Sequence, residues 1–171
     1  MTHHAHAHGH APAAGPITCW VITVSDTRTD QTDTSGSLLA SGLEGAGHEV
    51  ARRVLVPDEP DRIEAVLSEA DEAAALRAIL LTGGTGITKR DVTYEVVDLW
   101  IARPIPGFGE LFRMLSYQEV GSAAMLSRAT AGVTAAGKLL FALPGSTAGC
   151  RTALEKLILP ELRHMVSELD R

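Results

Sequence analysis

The sequence predicts an α/β fold: a three-layer α/β/α arrangement around a mostly parallel central sheet. Short β-branched apolar runs alternate with segments of helical period in the order βαβαβ, which calls for right-handed crossovers and helices on both faces. The apolar runs are near-continuous, as strands buried on both faces require. Aromatic residues make up 4% of the 171 residues against 45% apolar, and the abundant alanine favours close helix–sheet packing over aromatic clusters.

Residues 17–25, ITCWVITVS, read as the first buried strand. A polar loop, DTRTDQTDT, leads to a helix starting at Thr34 or Ser35 and capped by Asp33 or Thr34. Its apolar positions are Leu38, Leu39, Leu43 and Ala46, and Gly45 and Gly47 stop it. EVARRVLVPD gives a second strand ending at Pro57. Between Pro60 and Ala74, the residues Ile63, Val66, Leu67 and Ala70 form one helical stripe. RAILLT is a third strand and VTYEVVDLW a helix. ARPIPGFGE reads as a break at Pro104, Pro106 and Gly107, with helical spacing from Glu110 to Val120 and again from Ser122 to Ser127. ATAGVTAAG and KLLFALPGS are two further strands parted by Gly137. One or two helices close the chain between Ala148 and Leu169, with Pro160 as a kink or restart. The expected organisation is a single domain over 17–171.

Composition excludes several classes of function. A net charge of −6 without a long basic run argues against nucleic-acid binding. Cys19 and Cys150 form neither a disulfide framework nor a CxxC knuckle, so buried free thiols in a reducing cytoplasm are expected. No stretch approaches the roughly 20 apolar residues of a membrane span, and the N-terminus lacks the order of a secretion signal. Residues 1–16, MTHHAHAHGHAPAAGP, read as a disordered His-rich tail, either merely solvated or binding metal adventitiously.

Ligands of open α/β sheets bind at the carboxyl ends of the strands. Three such ends carry unusual loops: Ser25-Asp26-Thr27, Thr82-Gly83-Gly84-Thr85-Gly86 and Pro144-Gly145-Ser146. Glycines let a backbone approach a ligand closely, and successive amides in a tight turn form a concave anion site. The loops match neither GxGxxG nor the GxxxxGK[ST] of a P-loop, which points to a phosphorylated ligand held in another way. Lys89 and Arg90 suit phosphate, and Asp91 and Glu95 suit a divalent cation, facing one side if the helix begins at Asp91. Asp91 also fits a simple helix cap, and Asp58 either joins the same edge or only forms a turn after Pro57.

TGGTG followed by RDVT, then PGFGELFRMLS, MLSRA and LPGS, together with SDTRTDQTDTSG and LVPDE, resemble the molybdenum cofactor biosynthesis protein B and Mog (MoaB/Mog) family. The resemblance runs from about Ile17 to Leu169 and is closer to the protein B branch. It implies the three-layer fold, a trimer or hexamer, and a pterin pocket at the carboxyl edge. It also implies a reaction in which molybdopterin attacks ATP, giving adenylylated molybdopterin and pyrophosphate for a downstream molybdate-insertion enzyme. Activity is not uniform in that family, so a molybdopterin carrier and a scaffold are the alternatives. By the same resemblance Asp58 and Asp91 are the catalytic acids and hold Mg2+. Thr82, Gly83, Gly84, Thr85 and Gly86 surround phosphate and nucleotide. Ser25, Asp26, Thr27, Ser35, Gly36, Glu95, Ser127, Pro144, Gly145 and Ser146 line the cleft, with Gly36 exposing amides. Arg128 reads equally as an anion partner or a structural ion pair. Tyr94 departs from the family, where Pro or a small residue is more usual. The apolar Phe108, Leu111, Phe112, Met114 and Leu115 read as subunit interface or as ordinary core.

Overall fold

The computed structural model describes residues 15–171, so the expected tail lies outside the described residues except for Gly15 and Pro16. Six strands, β1 (Thr18–Val24), β2 (Glu49–Val56), β3 (Ala78–Thr82), β4 (Ile101–Pro104), β5 (Thr130–Thr134) and β6 (Leu139–Leu143), form one sheet in the order β2-β1-β3-β6-β5-β4. β1, β2, β3 and β6 pair in parallel, and β5 runs antiparallel to both β6 and β4. The two central strands β3 and β6 are buried at every position, as continuous apolar runs demand.

Helices α1 (Thr34–Gly45), α4 (Pro106–Val120), α5 (Thr147–Ala153) and α6 (Leu159–Leu169) cover one face. Their core holds Leu39, Leu43, Phe112, Leu154 and Ile158, with Phe108 set edge-on to Phe141 at 5.4 Å between ring centres. Helices α2 (Pro60–Glu72) and α3 (Thr93–Trp100) cover the other face through Ile63, Val66, Leu67, Ala70, Val96 and Val97. Each fully buried Leu or Ile contributes about 1.5–3 kcal/mol, so these two seams hold the three layers together. The expected stripe of α2 is wholly buried, and Asp33 caps α1 by accepting the Gly36 N–H.

Two expectations are corrected. ARPIPGFGE is not a break: it supplies β4 and the first turn of α4. Proline is tolerated there because β4 is the edge strand and Pro106 occupies the first turn of its helix, where a missing N–H costs nothing. The spacing from Ser122 to Ser127 is a 3-10 turn over Gly121–Leu126. At the C-terminus a π segment, Leu154–Ile158, joins α5 to α6 just before Pro160, so helical structure runs on through the proline without a break. Lys138 closes the end of α2: its Nζ donates to the carbonyls of Ala70 and Ala73, both at 2.6 Å, which satisfies acceptors that a helix end leaves open. Among the described residues no helix is long and apolar enough to cross a membrane.

Candidate active site

Sheet register brings the predicted loops together. Val24 lies opposite Val56, Thr23 opposite Thr82, and Thr82 opposite Leu143. The segments after β1, β2, β3 and β6 therefore leave the sheet side by side. Three bonds tie them: Ser25 N–H donates to Val56 O (2.9 Å), Gly83 N–H to Leu143 O (3.2 Å) and Thr82 Oγ1 to Pro144 O (2.7 Å). The turn demands glycine at its tightest points. Gly83 and Gly84 have φ of +102° and +62°, and a Cβ at Gly83 would sit 2.1 Å from the Val24 carbonyl oxygen. At Gly84 it would lie 2.3 Å from Thr93 Oγ1 and 2.9 Å from Asp58 Oδ1.

That close approach puts Asp58 against the glycine loop. Its N–H donates to Asp26 Oδ1 at 3.0 Å, and Asp26 also pairs with Arg90. Burial pushes the Asp58 carboxyl above its usual range; the Val92 N–H counters this, and the negative charges of Asp26 and Asp91 add to the rise. Oδ1 of Asp58 is buried without a hydrogen-bond partner, as is Thr93 Oγ1. Asp91 behaves oppositely. Hydrogen bonding from Thr88 leads the causes that hold its carboxyl below the usual range, outweighing burial; the Thr88 N–H donates to Oδ2 at 2.8 Å. Two acids on one rim thus differ, one held ionised and one pushed toward protonation, a division that suits distinct roles. Among the described residues no group of three or more His, Cys, Asp or Glu could hold a metal. Mg2+, however, is usually held by one or two carboxylates plus substrate phosphates and water. The open oxygen of Asp58 and the ionised Asp91 fit that kind of site.

A cleft of about 420 Å³ opens beside this rim. Of the predicted residues it gathers Gly84, Thr85, Gly86, Asp91, Ser127, Pro144, Gly145 and Ser146. The rest stand elsewhere. Thr82 and Gly83 are buried beneath the loops. Ser25 builds its own turn, its Oγ accepting the N–H groups of Thr27 and Arg28. Ser35 donates to the Gly145 carbonyl at 2.9 Å and so braces the third loop. Gly36 does not expose its amide: the N–H donates to Asp33 Oδ1, and a Cβ there would lie 2.1 Å from Asp33 Oδ2. Nor do Asp91 and Glu95 share a helix face. α3 starts at Thr93 with Val92 as its cap residue, which leaves Asp91 in the loop, neither cap nor partner of Glu95. Glu95 is exposed and pairs with Arg128.

The cleft also contains residues that the sequence did not single out. Phe112, Ser116 and Glu119 of α4 and Gly149 of α5 form its far wall. Glu119 is held there by the Thr152 hydroxyl at 2.8 Å. Their signal is a run of i, i+4 and i+7 positions on α4 that turns from apolar to polar, which marks a face leaving the core for a cavity.

The family model described as "Probable molybdopterin binding domain" matches residues 20–164. "Molybdenum cofactor biosynthesis protein B" of Bacillus subtilis is 50% identical over 156 residues, which are 91% of each chain. A crystal structure of molybdenum cofactor biosynthesis protein B superposes with a TM-score of 0.88 at 47% identity, over 95% of this chain and 99% of that one. The tungsten cofactor synthesizing protein MoaB of Pyrococcus furiosus superposes at 0.83 with 35% identity, over 93% and 100%. A glycine-looped carboxyl edge flanked by two unlike acids thus sits on a backbone shared almost end to end with these proteins, and the chain belongs to the MoaB/Mog family of probable molybdopterin-binding domains.

Proposed function

We propose that the protein acts in molybdenum cofactor biosynthesis by transferring AMP from ATP to molybdopterin, releasing pyrophosphate and adenylylated molybdopterin. The observation that carries this reading is the unlike pair Asp58 and Asp91 on either side of the Gly84–Gly86 turn. Both substrates are polyanions, so charge repulsion and alignment are the main obstacles, and clamping plus positioning is what the site must supply. The glycine loop offers backbone amides to phosphate oxygens. The cleft beside it has an apolar wall at Phe112 and polar groups at Ser116, Glu119 and Ser127, a mixture suited to a flat heterocycle with hydrogen-bonding edges. Asp58 and Asp91 would hold Mg2+, which when bound neutralises phosphate charge. Asp91 is the ionised ligand and Asp58 orients the attacking phosphate or shares the metal. No protein nucleophile is required: the terminal phosphate oxygen of molybdopterin bonds to the α-phosphorus of ATP as the bond to pyrophosphate breaks. The product would pass to a downstream molybdate-insertion enzyme. We also propose a trimer or hexamer, assembled through the apolar face of α4 and a cytoplasmic setting for the reaction.

The test is purified protein with ATP, Mg2+ and molybdopterin. Pyrophosphate release coupled to adenylylated pterin is expected. Asp91→Asn should retain pterin binding and lose about 100-fold or more in kcat, as expected when a group acts mainly in the transition state. Tight pterin binding by the wild type without any adenylylation would replace the enzyme reading with a carrier.

A further inference from the structure

Arg128 stands between the glycine loop and the start of α3. Its Nε donates to the Thr85 carbonyl at 3.2 Å. One terminal nitrogen donates to the carbonyls of Gly86 and Asp91, the latter at 3.0 Å, and the other pairs with Glu95. The guanidinium also lies over the Tyr94 ring, 5.0 Å from its centre. Four of the five N–H donors of an arginine are thus engaged within the protein.

Each peptide gripped in this way has a second end. A trans peptide points its C=O and N–H in opposite directions, and no cis bond occurs among the described residues. The Thr85 carbonyl shares its peptide with the Gly86 N–H, which acts on the Asp91 carboxylate. A Cβ at Gly86 would lie 2.7 Å from Asp91 Oδ2, so the two groups are packed together. The Asp91 carbonyl shares its peptide with the Val92 N–H, which acts on the Asp58 carboxylate. One planar cation therefore holds three peptides, and the N–H ends of two of them, 85–86 and 91–92, each meet one of the two acids.

From this geometry we infer that Arg128 is a positioning residue, fixing Asp91 through the 85–86 peptide and Asp58 through the 91–92 peptide, and that it does not itself bind substrate. The fork matters as well as the charge: a lysine ammonium is a point charge on a flexible stem and cannot hold several carbonyls in one plane. Only the kinetic part of the test rests on the proposed transfer reaction.

Hydrogen exchange, followed residue by residue on the full chain, is the direct probe. Arg128→Lys and Arg128→Gln should each lose about tenfold or more protection at the Gly86 and Val92 amides, as a locally loosened segment does, while Leu81 in β3 and Ala142 in β6 keep theirs. Wild-type protection at Gly86 and Val92 in Arg128→Lys overturns the inference, because charge alone would then suffice. A loss spread equally to Leu81 and Ala142 also overturns it, because Arg128 would then serve the fold at large. In turnover, Arg128→Lys should lower kcat about tenfold with KM for ATP and pterin within about twofold. A raised KM at unchanged kcat would make Arg128 a substrate contact instead. If the wild type releases no pyrophosphate, the transfer reaction fails and the exchange measurement still judges the clamp.

Discussion

At the scale of single residues, the buried polar groups around the sheet decide stability and its pH dependence. Asp33 is 2% exposed. Its carboxylate accepts Gly36 N–H, Thr23 Oγ1 and Arg53 Nη2, each at 2.8 Å, so one side chain ties α1, β1 and β2 together. Burial pushes its carboxyl up, and these donors bring it below the usual range overall. A carboxylate lowered on folding stabilises the protein above its unfolded value of about 3.9 and loses that contribution as pH falls through the folded value. Asp33→Ala removes both the cap and the partner of Arg53 and should cost about 3 kcal/mol in urea denaturation. His48 works in the same direction nearer neutrality. Its Nδ1 accepts the Ile17 N–H at 3.2 Å, and burial, then the positive charge of Arg163, hold it below its ordinary value. The neutral ring is favoured in the folded state, so stability is complete above about pH 6.5 and falls on acidification. Tm should drop between about pH 7 and 5.5, and His48→Asn, whose amide oxygen can accept the same N–H, should flatten that slope. Beyond the Asp33 cap, none of this was visible in sequence. Asp33 read only as a cap and His48 as nothing at all, because their partners lie 20 and 31 positions away.

At the scale of elements, turn chemistry separates local strain from damage to the site. Gly84 and Gly137 both have positive φ, +62° and +81°, so alanine at either costs about 1–2 kcal/mol in backbone strain alone. A Cβ at Gly137 meets nothing within 4 Å, whereas one at Gly84 drives into Thr93 and the Asp58 carboxylate. Gly137→Ala should therefore lose stability and keep its turnover. Gly84→Ala should lose about 100-fold in turnover as well, since displacements of the order of 1 Å at a reacting centre have that effect. Equal activity in the two variants would remove Asp58 from the site. Elements whose evidence is local were legible in advance: β1, β2, β3, β6 and the stripe of α2 follow from apolar runs and period. β4 and the first turn of α4 were not, because Pro104 and Pro106 read as breaks until an edge position and a first helical turn make them harmless. The candidate site divides in the same way. The topology brings strand ends together, so the three loops were predictable. The far wall from Ser116 and Glu119 was not, since it depends on how α4 crosses over the sheet edge.

At the scale of the whole molecule, the exposed apolar residues of α4 are the surface on which the proposed self-association rests. The sequence grouped Phe108, Leu111, Phe112, Met114 and Leu115; the fold splits them. Phe108 and Phe112 are core, while Leu111 and Met114 are about half exposed and continue into Tyr117, Val120, Met125 and Leu126. Leu111, Met114 and Tyr117 follow one another every three positions along α4, so they present one stripe, and clustered rather than scattered apolar exposure is what marks an interaction surface. Val120 and Leu126 belong at once to that surface and to the rim of the cleft. The proposed self-association would therefore dry one wall of the site and steady the α4 segment carrying Glu119. Met114→Glu places an unpaired charge in the middle of the stripe without touching the core of its own chain. Sedimentation should show wild type as an oligomer at micromolar concentration and the variant as a folded monomer, because a buried charge without a partner costs several kcal/mol at an interface. The monomer should also turn over more slowly, about tenfold if the wetter cleft weakens the electrostatics around the glycine loop. A wild type that sediments as a monomer, or a monomeric variant with full activity, would separate the apolar face from the site.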